Sequence, residues 1–215
     1  MKIRAAVPAD LPAIEEVMRA SMAALGPPFY DERQTASAVR FIAVADPEIV
    51  ADGTYFVVEN DHDVIPSVSE GPGGAGAAQP LPPGSLAHAR DDRREIVACG
   101  GWSKRKKLFT GTDAQATAAG WLDPATEPAR IRAMFVRPGH ARRGIGRMII
   151  DRAEAEAREA GFERCELMAT LPGVPLYLAC GYQRVEDVTI ELPDGVRLNC
   201  VRMVRHTAER RRPAG

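Results

Sequence analysis

Arg132-Ala-Met-Phe-Val-Arg-Pro-Gly-His-Ala-Arg-Arg-Gly-Ile-Gly-Arg147 is the stretch around which the rest of the chain can be read. Its beginning belongs to a strand, Arg130 to Val136, that stops at Pro138. Its end opens the best-patterned helix of the chain, Gly144 to Ala160. There Ile145, Met148, Ile149, Ala153 and Ala157 form an apolar stripe, and Asp151, Glu154, Arg158 and Glu159 read as solvated. Gly161 closes the helix as a left-handed cap. A helix start carries free amides and the positive end of the dipole, so it can hold a diphosphate. Gly144 and Gly146 let those amides approach phosphate oxygens, and Arg142, Arg143 and Arg147 add positive charge. His140 could reach the same anion, although a solvent-facing turn residue is the plainer reading. A phosphate-bearing ligand is the direct physical inference.

Two familiar phosphate sites do not fit. A nucleotide P-loop could use Gly139 and Gly144, but Lys and Ser or Thr must follow, where this chain has Ile145 and Gly146. A dinucleotide fold needs a third small residue, and that position holds Ile149. Glu163 and Glu166 fall near the expected ribose carboxylate, but a closing antiparallel hairpin argues against that fold.

Moving outward, Arg164 to Thr170 reads as a strand with Cys165, Leu167 and Ala169 on one face. Leu171 to Ala179 is a short helix stopped by Gly181, and Val185–Leu192 and Val196–Arg205 form a hairpin around Pro193-Asp194-Gly195. On the other side, Ile3 to Val7 is a first strand, after which Asp10 caps a helix with Leu11, Ile14, Met18, Met22 and Leu25 on one face. A weaker helix spans Asp31 to Ala45, and strands follow at Thr54–Glu59 and Glu95–Trp102. Residues 71–84 read GPGGAGAAQPLPPG, with nine Gly or Pro in fourteen, too little apolar surface to offset the entropy of ordering them. Residues 61–92 are therefore expected to be a disordered insertion between neighbouring strands, a domain linker being the weaker alternative. Thr110 to Pro128 reads as a loop with a short helical piece. The result is one α/β domain over 1–205 and a flexible tail at 206–215, with a mixed, mostly antiparallel sheet flanked by helices.

Composition narrows the class. With 45% hydrophobic and 27% charged residues and a net charge of −1, nothing favours nucleic acid or membrane surfaces. The N-terminus lacks the apolar core of a signal peptide and no apolar run is long enough to span a bilayer, so a cytoplasmic protein is expected. Cys99, Cys165, Cys180 and Cys200 have no zinc-ligand spacing, so no metal site is expected and reduced, buried thiols are. None of His62, His88, His140 and His206 suggests a partner for a cysteine nucleophile.

Arg143-Gly144-Ile145-Gly146 resembles the diphosphate loop of the GCN5-related N-acetyltransferase superfamily, whose pattern is Gln or Arg, two residues, Gly, any residue, then Gly or Ala. The first position departs from it, being Ala141, and Arg142 and Arg143 can carry its charge. Met134 to Pro138 is similar to that family's strand and turn. Leu176-Tyr-Leu-Ala-Cys-Gly-Tyr182 is similar to its short helix with a tyrosine and a Gly-aromatic end, and Asp194-Gly195 with Val201 to Met203 to its closing hairpin. The resemblance implies a splayed central strand pair, one ending at Val136 and one at Thr170, with the pantetheine arm of acetyl-CoA between them. It implies cosubstrate contacts at Met134, Phe135, Val136, Arg142, Arg143, Gly144, Ile145, Gly146 and Arg147. It also implies acetyl transfer to a primary amine of a small molecule or peptide by direct attack, with Tyr177 as the general acid. Alone, Tyr177 would read as a half-buried packing aromatic.

A general base is harder to choose. An alkyl amine with pKa about 10.4 is almost wholly protonated at neutral pH, so a carboxylate or a water chain must take its proton. Glu166, on the strand face opposite Cys165 and Leu167, is the tentative base; Glu59 and Glu95 lie on other strands, and each also reads as a solvated or salt-bridged residue. The Lys104-Arg105-Lys106-Lys107 cluster could draw an acidic substrate, or simply be a solvated loop. A homodimer is compatible with this reading. The alternative function is a non-catalytic acyl-CoA sensor or structural module, which needs the glycines but not the phenol.

Overall fold

The computed structural model describes residues 1–60, 95–108 and 120–206. The expected insertion at 61–92, with His62 and His88, lies outside the described residues. So do the first part of the Thr110–Pro128 loop and the tail beyond His206.

Seven strands form one sheet in the order β1 (Lys2–Ala5), β2 (Tyr55–Asn60), β3 (Glu95–Ser103), β4 (Ala129–Val136), β5 (Arg164–Thr170), β7 (Arg197–His206) and β6 (Gln183–Glu191). Every neighbouring pair is antiparallel except β4 and β5. The mixed, mostly antiparallel sheet expected from the sequence is thus present. Helices α1 (Leu11–Leu25), α2 (Glu32–Phe41) and α3 (Pro47–Ala51) cover one face. Helices α4 (Ile145–Glu159) and α5 (Val174–Ala179) cover the other. Alternation along the strands feeds both cores: Phe56 and Val58 pack toward α4, Tyr55 and Val57 toward α1.

Local signals explain most boundaries, and the exceptions have physical causes. Asp31 starts α2 by accepting from the Gln34 amide at 2.7 Å, while the Gln34 side chain accepts from the Asp31 amide at 3.2 Å. That helix ends at Phe41 rather than running to Ala45, and a further short helix, α3, begins after Asp46, whose carboxylate accepts from the Glu48 amide at 3.1 Å. Asp10 does not cap the first turn of α1 as expected; its carboxylate takes the Val7 amide and the Arg4 guanidinium. In α4 the buried stripe is wider than the sequence reading. Ile150 is buried and Met148 is 39% exposed. Glu154, expected in solvent, is buried because Arg205 of β7 covers that flank and donates to both its oxygens, at 2.8 and 2.6 Å.

The feature that positions the site is an opening in the sheet. β4 and β5 pair only at Ala129 with Cys165 and Arg130 with Glu166. Beyond those two registers they separate, and the β5-facing edge of β4 loses its strand partner. The other edge of β4 carries a bulge: Gly101 pairs with Arg132 but Cys99 with Phe135, so Ala133 and Met134 together oppose Gly100. Ala133 takes φ 52°, and its carbonyl accepts a 2.7 Å hydrogen bond from the Tyr55 hydroxyl. This crowding favours glycine at 100, since a Cβ there would displace the Met134 sulfur and stand 3.2 Å from both the Met134 Cα and the Ile149 Cγ2.

Candidate active site

The separated strand ends open into a cleft of about 410 Å³ between the C-terminal part of α1, the start of α4 and α5. Met134, Phe135, Val136, Arg142, Gly144, Ile145, Gly146 and Arg147 all line it. Of the nearby residues singled out from the sequence, Arg143 alone stays outside this wall, exposed on the loop. His140 lines the cleft rather than facing only solvent. Ser21, Met22 and Leu25 of α1 form a wall that the sequence did not announce.

The geometry of the loop suits an anion. Arg142 and Gly144 both adopt left-handed backbone, φ 65° and 80°, so successive amides turn toward one side. Gly144 is the helix cap with no side-chain hydrogen bond, and the first turn of α4 holds no acidic residue. The first intrahelical bond runs from the Met148 amide to the Gly144 carbonyl at 3.0 Å, so the amides of Ile145, Gly146 and Arg147 have no helical acceptor. The two glycines serve different ends. At Gly144 a Cβ would meet nothing within 4 Å, and the demand is the positive φ. At Gly146 a Cβ would stand 2.7 Å from Leu176 Cδ2, so this glycine lets α5 approach α4. Arg147 reinforces that contact by donating to the Ala179 carbonyl at 2.6 Å.

Behind this cleft lies a smaller cavity of about 60 Å³ in the gap between β4 and β5. The two spaces share Met134, Phe135 and Thr170 as walls. Tyr177 lines the small cavity and not the large one. Its ring is 7% exposed and packs edge-on to Tyr182 at 5.8 Å between centroids. Burial pushes its phenol well above the usual tyrosine range, so it stays protonated at neutral and mildly alkaline pH. On the opposite face of the sheet the same cavity is lined by Arg132, with Ile42, Leu108 and Met168.

Glu166 does not fit the role of base. Its two oxygens are engaged by Arg130, its register partner, and by Arg202 at 2.9 Å, and it lines neither space. Glu59 pairs with Arg4 at 2.6 Å and Glu95 with Arg137 at 3.1 Å, both away from the cleft. The Lys104–Lys107 cluster divides: Arg105 binds Asp52 at 2.6 Å, while Lys107 reaches Asp46 at 3.0 Å beside Arg132. The four cysteines are buried and reduced, in no disulfide. Burial pushes Cys99, Cys165 and Cys200 up to about 12, which removes thiolate chemistry from consideration. Among the described residues no group of three or more His, Cys, Asp or Glu could hold a metal, and no helix is long and apolar enough to cross a membrane.

Residues 76–182 match the acetyltransferase (GNAT) family. The chain belongs to that family. No curated protein sequence matches the chain. Solved GNAT structures share the fold at low identity. A GCN5-related N-acetyltransferase from Rhodopseudomonas palustris superposes with a TM-score of 0.59 at 16% identity, covering 95% of this chain and 94% of its own. The PaiA N-acetyltransferase of Thermoplasma acidophilum, solved with coenzyme A, gives 0.55 at 12% identity over 95% and 98% of the two chains. YncA of Salmonella typhimurium, a putative acetyltransferase solved with acetyl-CoA, gives 0.54 at 15% identity over 100% and 98%. The sequence did not announce the buried Arg132–Asp46 pair or the α1 wall. An arginine inside the apolar run Ala129–Val136 and an Asp-Pro pair at 46–47 were the available signals.

Proposed function

We propose that this GNAT domain transfers an acetyl group from acetyl-CoA to a primary amine of a small molecule or peptide, by direct attack of the amine. The observation that carries the reading is the adjacency of two spaces that share Met134, Phe135 and Thr170 as walls: one reaches the start of a helix whose first amides lack helical acceptors, and the other is lined by a buried phenol. The cleft residues fit the cosubstrate. The amides of Ile145, Gly146 and Arg147, with the Arg142 and Arg147 side chains, would hold its diphosphate. Backbone groups on the open edge of β4, around Phe135 and Val136, would take the pantetheine arm and polarise the thioester carbonyl. When bound, acetyl-CoA supplies the thioester carbon that the amine attacks.

Tyr177 then has a definite task. As the carbon–sulfur bond breaks, its hydroxyl proton passes to the departing sulfur and is later regained from solvent. The CoA thiol has a pKa near that of cysteine, about 8.5, so a protonated phenol can donate to its thiolate. No carboxylate lines the small cavity among the described residues, so the acceptor's ammonium loses its proton to water before the neutral amine attacks, and the second proton leaves the same way after the carbon–nitrogen bond forms. A soluble setting, the cytoplasm, suits such chemistry.

The experiment is a screen of amines and peptide N-termini with acetyl-CoA, read by thiol release, on the wild type and Tyr177→Phe. Turnover that falls at least tenfold in the variant, with acetyl-CoA affinity kept, supports a catalyst using this phenol. Tight CoA binding with no turnover of any amine would instead make the chain an acyl-CoA sensor or structural module.

A further inference from the structure

The α1 wall of the cleft carries a hydroxyl that the rest of the chain does not use. Ser21 is 5% exposed and lines the cleft beside Met22 and Leu25. A helical serine commonly bonds back to the carbonyl four residues earlier, here that of Val17. Ser21 does not, and among the described residues its hydroxyl has no hydrogen-bond partner. Nor is it one of the fully enclosed orphan atoms, so the little surface that Ser21 keeps includes this hydroxyl, on the cleft side of the helix. Ala20, Ala23 and Ala24 surround it in the sequence, and alanine would suit the helix better than serine. An almost buried hydroxyl without a protein partner is uncommon unless something else meets it.

The position of Ser21 gives that hydroxyl a use. Earlier in α1, Glu16 pairs with Arg137 at 2.9 Å, just past the end of β4. After α1, the Tyr30 hydroxyl accepts from the Leu171 amide at 2.8 Å, just past the end of β5, and donates to the Asn199 carbonyl of β7 at 2.7 Å. Between these two ties α1 passes the mouth of the gap where β4 and β5 part. The basic side chains of the cleft, His140, Arg142 and Arg147, all belong to the loop and the helix start. Away from them the lining side chains are apolar except for Ser21 and Thr170, and Thr170 also walls the small cavity. An acyl-pantetheine arm on the open edge of β4 turns part of its amide groups away from that strand, where they need another partner. We propose that the Ser21 hydroxyl hydrogen-bonds an amide of this arm, so that α1 holds the cosubstrate from the side β4 does not reach. The inference rests on the cosubstrate reading above and adds to it a binding residue outside the loop and the strand edge.

Calorimetry on the full chain tests the contact. Wild type, Ser21→Ala and Ser21→Cys are titrated with CoA and with adenosine 3′-phosphate 5′-diphosphate, which keeps the diphosphate and lacks the arm. Ser21→Ala should weaken CoA binding roughly 3- to 10-fold, the size of one net hydrogen bond, and leave the nucleotide within about twofold of wild type. Ser21→Cys, close in size but a weaker donor, should fall between the two proteins. The ligand-free Ser21→Ala protein should melt at the wild-type temperature or above it, because the variant removes an unpaired hydroxyl and improves the helix. A structural serine would behave the opposite way, lowering the melting temperature and weakening both ligands alike, and that result overturns the proposal. CoA affinity in Ser21→Ala within about twofold of wild type overturns it too. If the nucleotide binds too weakly to titrate, the CoA-induced rise in melting temperature decides: it must be smaller in Ser21→Ala, from an undiminished starting value. Failure of the wild type to bind CoA strikes the cosubstrate reading and this contact with it. CoA binding without turnover of any amine strikes only the transferase reading.

Discussion

Asp46→Asn offers a measurement of how tightly the β4 face is held. Asp46 is 5% exposed, and its Oδ2 accepts from the Arg132 guanidinium, whose side chain is 2% exposed. The asparagine keeps an oxygen to cap α3 through the Glu48 amide, so the loss is chiefly that of charge. Removing one member of a buried pair leaves the other charge uncompensated, which typically costs about 3–5 kcal/mol. Lys107, at 20% side-chain exposure, can turn to solvent and adds little. For a chain of this length each kcal/mol moves the melting temperature by roughly 2–4 °C, so a fall of roughly 6–20 °C is expected by calorimetry, with a matching shift in urea midpoint. The pH dependence has a definite sign. Burial works to raise the Asp46 carboxyl, but the Lys107 hydrogen bond and the Arg132 and Lys107 charges outweigh it and hold it below the usual range. A depressed carboxylate contributes stability above its unfolded pKa and loses it as the pH falls through the folded value. Wild type and Asp46→Asn should therefore converge in acid, below about pH 4. Asp46→Asn with Arg132→Met should recover part of the loss, since the orphaned charge is gone. A single-variant cost under about 1 kcal/mol, or strict additivity in the double variant, would refute the account of a dry, coupled pair.

Other outcomes follow from the same structure. Tyr177→Phe should lower kcat at least tenfold and leave the KM for acetyl-CoA in place, while the wild-type rate should not decline on the alkaline side up to about pH 10, since the phenol is raised by burial. Gly146→Glu should abolish measurable CoA affinity by calorimetry, because the side chain meets Leu176 and brings negative charge to the helix start. Glu166→Gln should cost stability through Arg130 and Arg202 in a urea melt but leave kcat within about threefold, a larger fall returning it to the chemistry. Asn60 and Glu95 face each other in the β2–β3 ladder, so replacing 61–94 by Asn-Gly should shift stability by about 1 kcal/mol or less; failure to fold would show that the segment packs.

How much of this was legible in the chain differs from element to element. Arg164–Thr170 was read to the residue because period-two alternation of Cys165, Leu167 and Ala169 is bounded by a glycine-closed helix and by Pro172. The strand–loop–helix unit around Gly144 was equally legible, since strand, glycines and helix are consecutive in sequence. What failed was non-local. Glu154 looks solvated on a helical wheel and is buried only because Arg205, fifty-one residues later, lies over it. Glu166 looked available because it sits on the polar face of its strand. The parallel register that sets it against Arg130 and the antiparallel one that sets Arg202 nearby are not written in its own neighbourhood.

Arg132 shows the same limit from the other side. In sequence it is one arginine in a strand between Ile131 and Ala133, where the bland expectation is a solvated side chain. Its burial depends on three separate events. β4 must part from β5 after Arg130, Asp46 must be brought under the strand by the turn between α2 and α3, and the bulge at Ala133 must shift the register by one residue. That bulge also changes which side chains face which core. Before it, Ile131 packs toward α4 and Arg132 away from it; after it, Met134 joins the α4 side and Phe135 the α1 side, keeping both next to the gap. The strained residue thus links cleft and cavity, because without the extra residue Met134 and Phe135 would exchange faces and the wall shared by the two spaces would be lost.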